Sequence, residues 1–123
     1  MTQNIDTTNP DAIKDLCLEA IDDGKGKKPI AINVEAQSDI MSWLLVASGT
    51  STKHIEHVAN TVASVAREQG IPTLGKEGDS GSDWVLVDLG DVVVNVMMPD
   101  ARKNYDLERL WSDGEIVAPG PNE

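Results

Sequence analysis

Apolar residues recur with helical spacing in two segments of the chain. The first segment has Asn9 placed to cap a helix and Pro10 at its first turn, and it should end at residues 22–24, Asp-Asp-Gly. The second helix should take its cap from residues 48–51 and end at Gly70. The predicted core-facing stripes are Ile13, Leu16, Cys17 and Ala20 in the first helix, and Ile55, Val58, Ala59, Val62, Val65 and Ala66 in the second.

Two predicted strands lie between these helices. Residues 29–34 alternate in polarity, and residues 43–47 form a continuous apolar run that is typical of a strand buried on both faces. Residues 25–28 are expected to form an exposed loop before the first strand. The polar, Gly-rich residues 73–82 are expected to form a mobile loop, with one short strand near residues 72–74.

The most informative pattern is a β-hairpin. Residues 84–89 and 92–97 read as strands, and the two-residue spacer Gly90-Asp91 predicts a tight turn. This loop length fixes the register, so that Trp84 pairs with Met97 and each following pair is set. One face then carries only branched aliphatic residues and should be the core side: Val85, Val87, Leu89, Val92, Val94 and Val96.

The opposite face of the hairpin is mixed in polarity. It is too apolar for plain exposure to solvent and too polar for an ordinary core, which favours a surface that receives a partner. The alternative is that the last helix of the same chain covers it; this helix is predicted over residues 105–111, after a turn that begins at Pro99. The residues on this face are Trp84, Leu86, Asp88, Val93, Asn95 and Met97.

Charge narrows the choice of partner. The 123 residues include 10 Lys+Arg and 21 Asp+Glu, a formal charge of −11, which disfavours direct binding to nucleic acid or to anionic membranes. Residues 77–123 hold 11 acids and 3 bases, so they carry a net charge of −8 and favour a basic partner. A single Cys17 and the lack of a secretory signal pattern indicate a cytoplasmic protein.

Length and composition predict one domain over residues 9–111. Residues 1–8 lack periodicity, and the acidic residues 112–123 are rich in Gly and Pro, so both ends are expected to be flexible. No internal repeat is visible, and no apolar run approaches the length of about 20 residues that spans a membrane.

Two groups of residues at the start of the second helix are candidate sites for chemistry. Residues 49–51, Gly-Thr-Ser, could bind a phosphate at a helix N-terminus, but they lack both the P-loop lysine and the dinucleotide glycine pattern, so simple capping is favoured. His54 and His57 have a spacing that can serve a metal. No third ligand is nearby, and solvated or capping roles are favoured.

The remaining candidates also point away from catalysis. Asp88 and Asp91 could suggest a Mg²⁺ pair, but a turn separates them, and turn chemistry explains Asp91 better. Cys17 lies on the apolar stripe of its helix and should be a core residue. No set of nucleophile, base and orienting group is apparent, so the sequence predicts neither an enzyme nor a bound metal or cofactor.

Three motifs in order resemble the ribosomal silencing factor family, also called Iojap-like proteins. They are S-G-T-S-x-x-H-I, D-W-V-L-V-D-L-G-D-V-V-V-N-V-M and R-x-x-Y-D-L-E-R-L-W, and the similarity covers residues 10–111. The resemblance implies an α/β domain with a mixed sheet of about five strands flanked by helices. It also implies a fold related to nucleotidyltransferases but without their catalytic acids.

The resemblance further implies a function in translation. Family members bind the large ribosomal subunit through its basic protein fourteen at the subunit interface, and they block joining of the small subunit when nutrients are scarce. A nucleotidyltransferase-like enzyme and a large-subunit assembly factor are the alternatives, and the apolar face favours a homodimer of the free protein. The implied partner-binding residues are Trp84, Leu86, Asp88, Asn95, Met97, Asp100, Tyr105, Asp106, Leu107 and Glu108.

Two positions differ from the family pattern. The family commonly has His-x-Phe on the second hairpin strand, where this sequence has Asn95-Val96-Met97. The aromatic pair before D-L-E is here Asn104-Tyr105. Asn can keep a hydrogen bond made by His, and Met can fill the space of a ring.

Overall fold

A six-stranded mixed sheet organises the chain. The computed structural model describes residues 6–78, 81–111 and 113–117. The strand order is β3-β4-β5-β2-β1-β6; β2 and β5 run parallel, and the other neighbouring strands are antiparallel. The elements are α1 Pro10–Asp23, β1 Lys27–Asn33, β2 Trp43–Ser48, α2 Thr52–Glu68, β3 Gly75–Glu77, β4 Trp84–Asp88, β5 Val92–Met97, α3 Pro99–Tyr105, α4 Leu107–Leu110 and β6 Ile116–Val117.

The two long helices begin and end as predicted. The Asn9 side chain accepts a hydrogen bond from the Asp11 backbone N–H, and Pro10 occupies the first turn of α1. Ser51 caps α2 by accepting from the His54 N–H at 3.0 Å. Gly70 follows α2 with a φ of 83°, a left-handed conformation that glycine adopts without a Cβ clash.

Both long helices cover one face of the sheet. The six aliphatic residues that the hairpin pattern assigned to the core are all buried there, beneath α1 and α2. Four of the six strands, β1, β2, β4 and β5, contribute buried side chains to this main core. The predicted stripe of α2 is buried except for Val65, which is partly exposed at its margin.

The short helices α3 and α4 cover only part of the second face. Ala101 from α3 packs with Val46 and Met97, and Leu107 from α4 contacts the same group. Trp111 and Leu107 also pack against a second small cluster that includes Ile32 and Leu44. The helices therefore cover β1, β2 and β5, and the half-buried outward side chains of β4 stay at the surface.

The sheet has six strands where about five were expected. The additional strand is β6, within the segment predicted to be flexible, and its two β-branched residues pair with Ala31 and Ile32 at the edge of β1. Position 112 and residues 118–123 of that segment, and residues 1–5 at the other end, lie outside the described residues. None of the helices in the described part of the chain combines the length and apolar character needed to cross a membrane.

Three local predictions were wrong. Strand β1 begins at Lys27, inside the predicted loop, because a bulge between Lys27 and Ile30 lets the chain pair with β2 earlier. The short strand in the predicted mobile loop is Gly75–Glu77 rather than 72–74, since its register places Gly75 opposite Asp88 of β4. Pro99 begins a helix, and the predicted helix over residues 105–111 is interrupted at Asp106, which has a left-handed φ of 50°.

Candidate functional site

The hairpin that carries the candidate site has the predicted register. Trp84 pairs with Met97, and the following pairs continue to Asp88 with Val93. The Leu89 N–H donates to the Val92 carbonyl at 2.9 Å and closes the turn. The turn chemistry differs from the expectation in one respect, because the carboxylate of Asp88 accepts from the Gly90 N–H at 2.8 Å.

The mixed face of the hairpin is divided between interior and surface. Met97 is 0% exposed and Asn95 is 1% exposed, so the prediction that the whole face is open to a partner is wrong for these two residues. Ala101 and Leu107 cover Met97, which fills an apolar space as expected of a flexible side chain. The alternative, in which the last helices of the chain cover this face, is therefore correct for the part of the face that β5 contributes.

Asn95 has a structural role that links the interior to the surface. Its Oδ1 accepts a hydrogen bond from the Trp84 Nε1–H at 2.9 Å, and its Nδ2 donates to the Leu45 carbonyl at 3.2 Å. The indole of Trp84 also packs on Tyr105, with ring centroids 4.6 Å apart and planes inclined at 51°. Asn95 and Tyr105 thus hold the Trp84 ring in one orientation.

The exposed half of the face forms what we call the β4 surface, defined by Glu77, Trp84, Leu86, Asp88 and Tyr105. Glu77, Trp84 and Leu86 line a shallow depression of about 270 Å³. Trp84, Leu86 and Asp88 are half-buried, and Tyr105 is 58% exposed. This surface combines a rigid aromatic pair with an aliphatic side chain and has acids at its edge. Such a composition is typical of a protein-binding site.

Glu77 is the member of this surface that sequence reasoning missed. It lies on β3, a three-residue strand of Gly, Lys and Glu, which carries no apolar periodicity that would identify it as a strand. Its position next to Leu86 follows from the pairing of β3 with β4. The pairing of β3 with β4 is not visible in the sequence, so Glu77 could not be placed on this surface from the sequence alone.

The acids predicted to face a basic partner have mixed roles. Asp100 is exposed in the first turn of α3. The Asp106 side chain instead accepts from the Arg109 backbone N–H at 3.3 Å and caps α4. Glu108 pairs with Arg102 at 3.1 Å, so its charge is neutralised within the chain.

Arg102 is a further residue whose role the sequence did not reveal. Besides its ion pair with Glu108, its Nη1 donates to the Ser48 Oγ at 3.0 Å, so the guanidinium joins α3, α4 and the end of β2. Leu107 is half-buried between the two small clusters of the second face. Leu107 and Glu108 accordingly help to fix the short helices on the sheet.

The turn before α2 acts as a cap, as favoured from the sequence. The Gly49 N–H donates to the Met97 carbonyl at 3.1 Å, and the Thr50 N–H donates to His54 Nδ1 at 2.9 Å. Since Nδ1 accepts, Nε2 carries the proton and donates to the Gly24 carbonyl at 3.0 Å. His54 therefore joins the start of α2 to the end of α1, whereas His57 is exposed.

The other candidates for chemistry are explained by structure. Cys17 is 1% exposed, and burial raises the pKa of its thiol to about 12, so it is a core residue with little thiolate character. Among the described residues there is no group of three or more His, Cys, Asp or Glu side chains that could hold a metal ion.

The fold is a small α/β domain, and the β4 surface lies on the partly covered face of its mixed sheet as a candidate recognition site. A family model described as "Ribosomal silencing factor during starvation" matches residues 7–122. The chain belongs to this family.

Individual relatives agree with this assignment. A ribosomal silencing factor of Halalkalibacterium halodurans is 41% identical over 102 residues, which cover 83% of this chain and 87% of the relative. A crystal structure of a Chromobacterium violaceum protein has a TM-score of 0.83 at 35% identity and covers 93% of this chain and 95% of its own. A mouse protein named for mitochondrial assembly of the large ribosomal subunit is 30% identical over 84 residues, covering 66% of this chain but 37% of the mouse protein.

Proposed function

We propose that this protein binds the large ribosomal subunit in the cytoplasm and prevents its association with the small subunit. The contact is made with the basic ribosomal protein fourteen at the subunit interface, and the effect is repression of translation when nutrients are limiting. The protein acts as a steric block and needs no cofactor. Family membership supports the ribosomal target, and the β4 surface supports the mode of binding.

The observation that carries the proposal is the orientation of Trp84. An indole held by Asn95 and Tyr105 loses little conformational freedom when a partner binds, so most of its contact energy remains available for affinity. Large aromatic side chains in partly formed depressions are the usual anchors of protein interfaces. Leu86 lies on the same face of β4 and extends the apolar centre of the contact.

Acidic residues at the edge of this centre favour a basic partner. Glu77 lines the same depression, Asp83 is exposed directly before β4, and Asp88 is half-buried at the other end of the strand. A ribosomal protein rich in Lys and Arg complements these charges. Such rim charges increase the rate of encounter more than they slow dissociation.

Sedimentation of purified subunits tests the proposal. Small and large subunits are mixed at a Mg²⁺ concentration that allows joining, with and without the protein. We expect the joined particle to decrease and the protein to migrate with free large subunits. The proposal is wrong if the protein does not bind the large subunit, or binds it while joining is unchanged.

A pair of matched variants assigns the effect to the β4 surface. Leu86→Arg adds a positive charge to the apolar centre and should abolish the block against a basic partner. His57→Arg adds the same charge to the exposed side of α2, on the opposite layer, and should leave the block intact. Equal effects of the two substitutions would contradict the assignment.

Assembly of the large subunit is the second candidate function, and the name of the similar mouse protein favours it. An assembly factor leaves before translation begins, so it would bind immature large subunits and not hold mature subunits apart. Comparing the affinity for precursor and mature particles separates the two functions. A nucleotidyltransferase activity has less support, because the Gly49 and Thr50 amides already have partners within the chain.

The unbound β4 surface also provides a basis for self-association. An apolar patch centred on Trp84 and Leu86 tends to be covered when its target is absent. We propose that the free protein forms a homodimer through this surface. Light scattering should then give a dimer mass for the wild-type protein and a monomer mass for Leu86→Arg.

A further inference from the structure

Basic side chains gather beside the β4 surface. Lys28, Arg102 and Lys103 line one depression of about 370 Å³, and Lys103 also lines an adjoining depression together with Arg109. Two acids share these linings, because Asp106 lines both depressions and Glu108 lines the first. The first and last of these bases are 81 positions apart in sequence, so the fold rather than the local sequence brings them together.

This concentration of positive charge runs against the charge of the whole chain. The formal charge is −11, yet all three bases of residues 77–123 lie in or next to α3 and α4. Glu108 neutralises Arg102. In the described part of the chain, no acidic side chain lies within salt-bridge distance of Lys28, Lys103 or Arg109, and all three are exposed.

The backbone at Lys28 adds an independent observation. Lys28 has a φ of 47°, a left-handed conformation that is unusual for a residue with a long side chain, and it lies in the bulge of β1. Bulges redirect side chains, and strained conformations concentrate at functional positions. The bulge brings Lys28 to the depression that Arg102 and Lys103 also line.

We propose that Lys28, Lys103 and Arg109 bind the phosphate backbone of ribosomal RNA, next to the protein contact made by the β4 surface. This inference rests on the proposed function, because a ribosome presents RNA phosphates beside its basic proteins. The net charge still disfavours RNA binding by the free protein. Once the β4 surface is bound to the ribosome, the cations are held close to the RNA phosphates. A few cations are then enough to add to the affinity.

Neutralising substitutions test the RNA contact. In the double variant Lys103→Gln and Arg109→Gln, we expect affinity for the large subunit to fall about tenfold at 0.1 M salt, and the slope of log affinity against log salt to flatten by about 1.5. The matched control is Lys53→Gln with Arg67→Gln, two exposed bases on α2 of the opposite layer. An equal loss in the control would overturn the proposal.

Binding to isolated ribosomal protein fourteen distinguishes this inference from the proposed function. The double variant should bind the isolated protein as well as the wild type does. An equal loss there would show that the cations contact protein, and it would overturn the RNA contact. If the wild type itself fails to bind the isolated protein, the proposed function is wrong, and the comparison on whole subunits still decides the RNA contact.

Hydroxyl-radical footprinting identifies the chemistry of the contacted partner. Wild-type protein should protect a short stretch of ribosomal RNA backbone on the large subunit, and the double variant should lose this protection when added at saturating concentration. Loss of affinity without any RNA protection by the wild type would assign the cations to another ribosomal protein and contradict the proposal.

A glycine at position 28 separates a binding role from a structural one. Glycine adopts a positive φ without strain, so Lys28→Gly should leave the thermal midpoint unchanged or slightly raised. The same substitution should weaken subunit binding several-fold and reduce the salt slope by less than about one. A stable variant with wild-type subunit affinity would remove Lys28 from the proposed site.

Discussion

The amide of Asn95 should hold the recognition surface in place at a measurable cost to stability when it is removed. In Asn95→Leu, a nearly isosteric change, the hydrogen bonds to Trp84 at 2.9 Å and to the Leu45 carbonyl at 3.2 Å are lost. Each contributes roughly 1 kcal/mol, and little cavity forms, so the free energy of unfolding should fall by about 2 kcal/mol. For a chain of this size, the thermal midpoint should drop by roughly 6–10 °C.

Thermal and guanidinium unfolding followed by circular dichroism measure this loss. Near-ultraviolet circular dichroism reports on the packing of all three Trp rings, and the Trp84 contribution should decrease because its indole N–H has lost its acceptor. Asn95→His is the control, since a neutral imidazole offers one donor and one acceptor to the same two partners. A loss in Asn95→Leu below about 0.5 kcal/mol, or an equal loss in both variants, would refute the role assigned to the amide.

Three further predictions follow from other contacts. Trp84→Ala should weaken large-subunit binding by at least about 2 kcal/mol, roughly thirtyfold, measured below the unfolding transition; a change under threefold would exclude Trp84 as an anchor. Gly49→Ala should destabilise the fold by about 1–3 kcal/mol in urea unfolding, because a Cβ would overlap the Ile55 side chain; wild-type stability would mean that the turn relaxes freely. Cys17 should resist alkylation at pH 8 until the protein is unfolded, because burial raises the pKa of its thiol to about 12; rapid labelling of the native protein would contradict this burial.

Local signals in the sequence were sufficient for the elements that depend on neighbouring residues. A two-residue loop and strict alternation defined the hairpin, and the observed pairs from Trp84 with Met97 to Asp88 with Val93 have the predicted register. Asn9 and Ser51 supply the predicted caps of the long helices. Periodicity and capping are properties of short segments, so they are readable without the fold.

The division of the mixed face depended on contacts between distant segments. Asn95 and Met97 have the same alternation as Trp84 and Leu86 but are interior. Asn95 is buried where it bonds Trp84 and the Leu45 carbonyl, and the placement of α3 and α4 covers Met97. That placement depends on Asp106, whose left-handed backbone splits one predicted helix into two. Asp tolerates this conformation better than most residues, but its presence does not require it.

The net charge of the C-terminal segment could be predicted from the sequence, but the partners of its individual charged side chains could not. The net charge of residues 77–123 correctly described an acidic segment, but Glu108 and Asp106 are engaged within the chain by Arg102 and by the α4 backbone. Arg102 and Lys103 of the same segment lie together with Lys28, although no local pattern groups these bases. A count of charges cannot show that these bases lie together, because their positions follow from the strand order and the β1 bulge.

Site-specific crosslinking tests the central claim most directly. A photoreactive amino acid replaces Leu86 on the β4 surface, or Lys53 on the exposed side of α2, and each protein is irradiated on purified large subunits. We predict that position 86 crosslinks to the basic protein fourteen at the subunit interface, and that position 53 gives little or no crosslink to it. Crosslinks to protein fourteen from position 53 but not 86, or from position 86 only to other ribosomal components, would contradict the account.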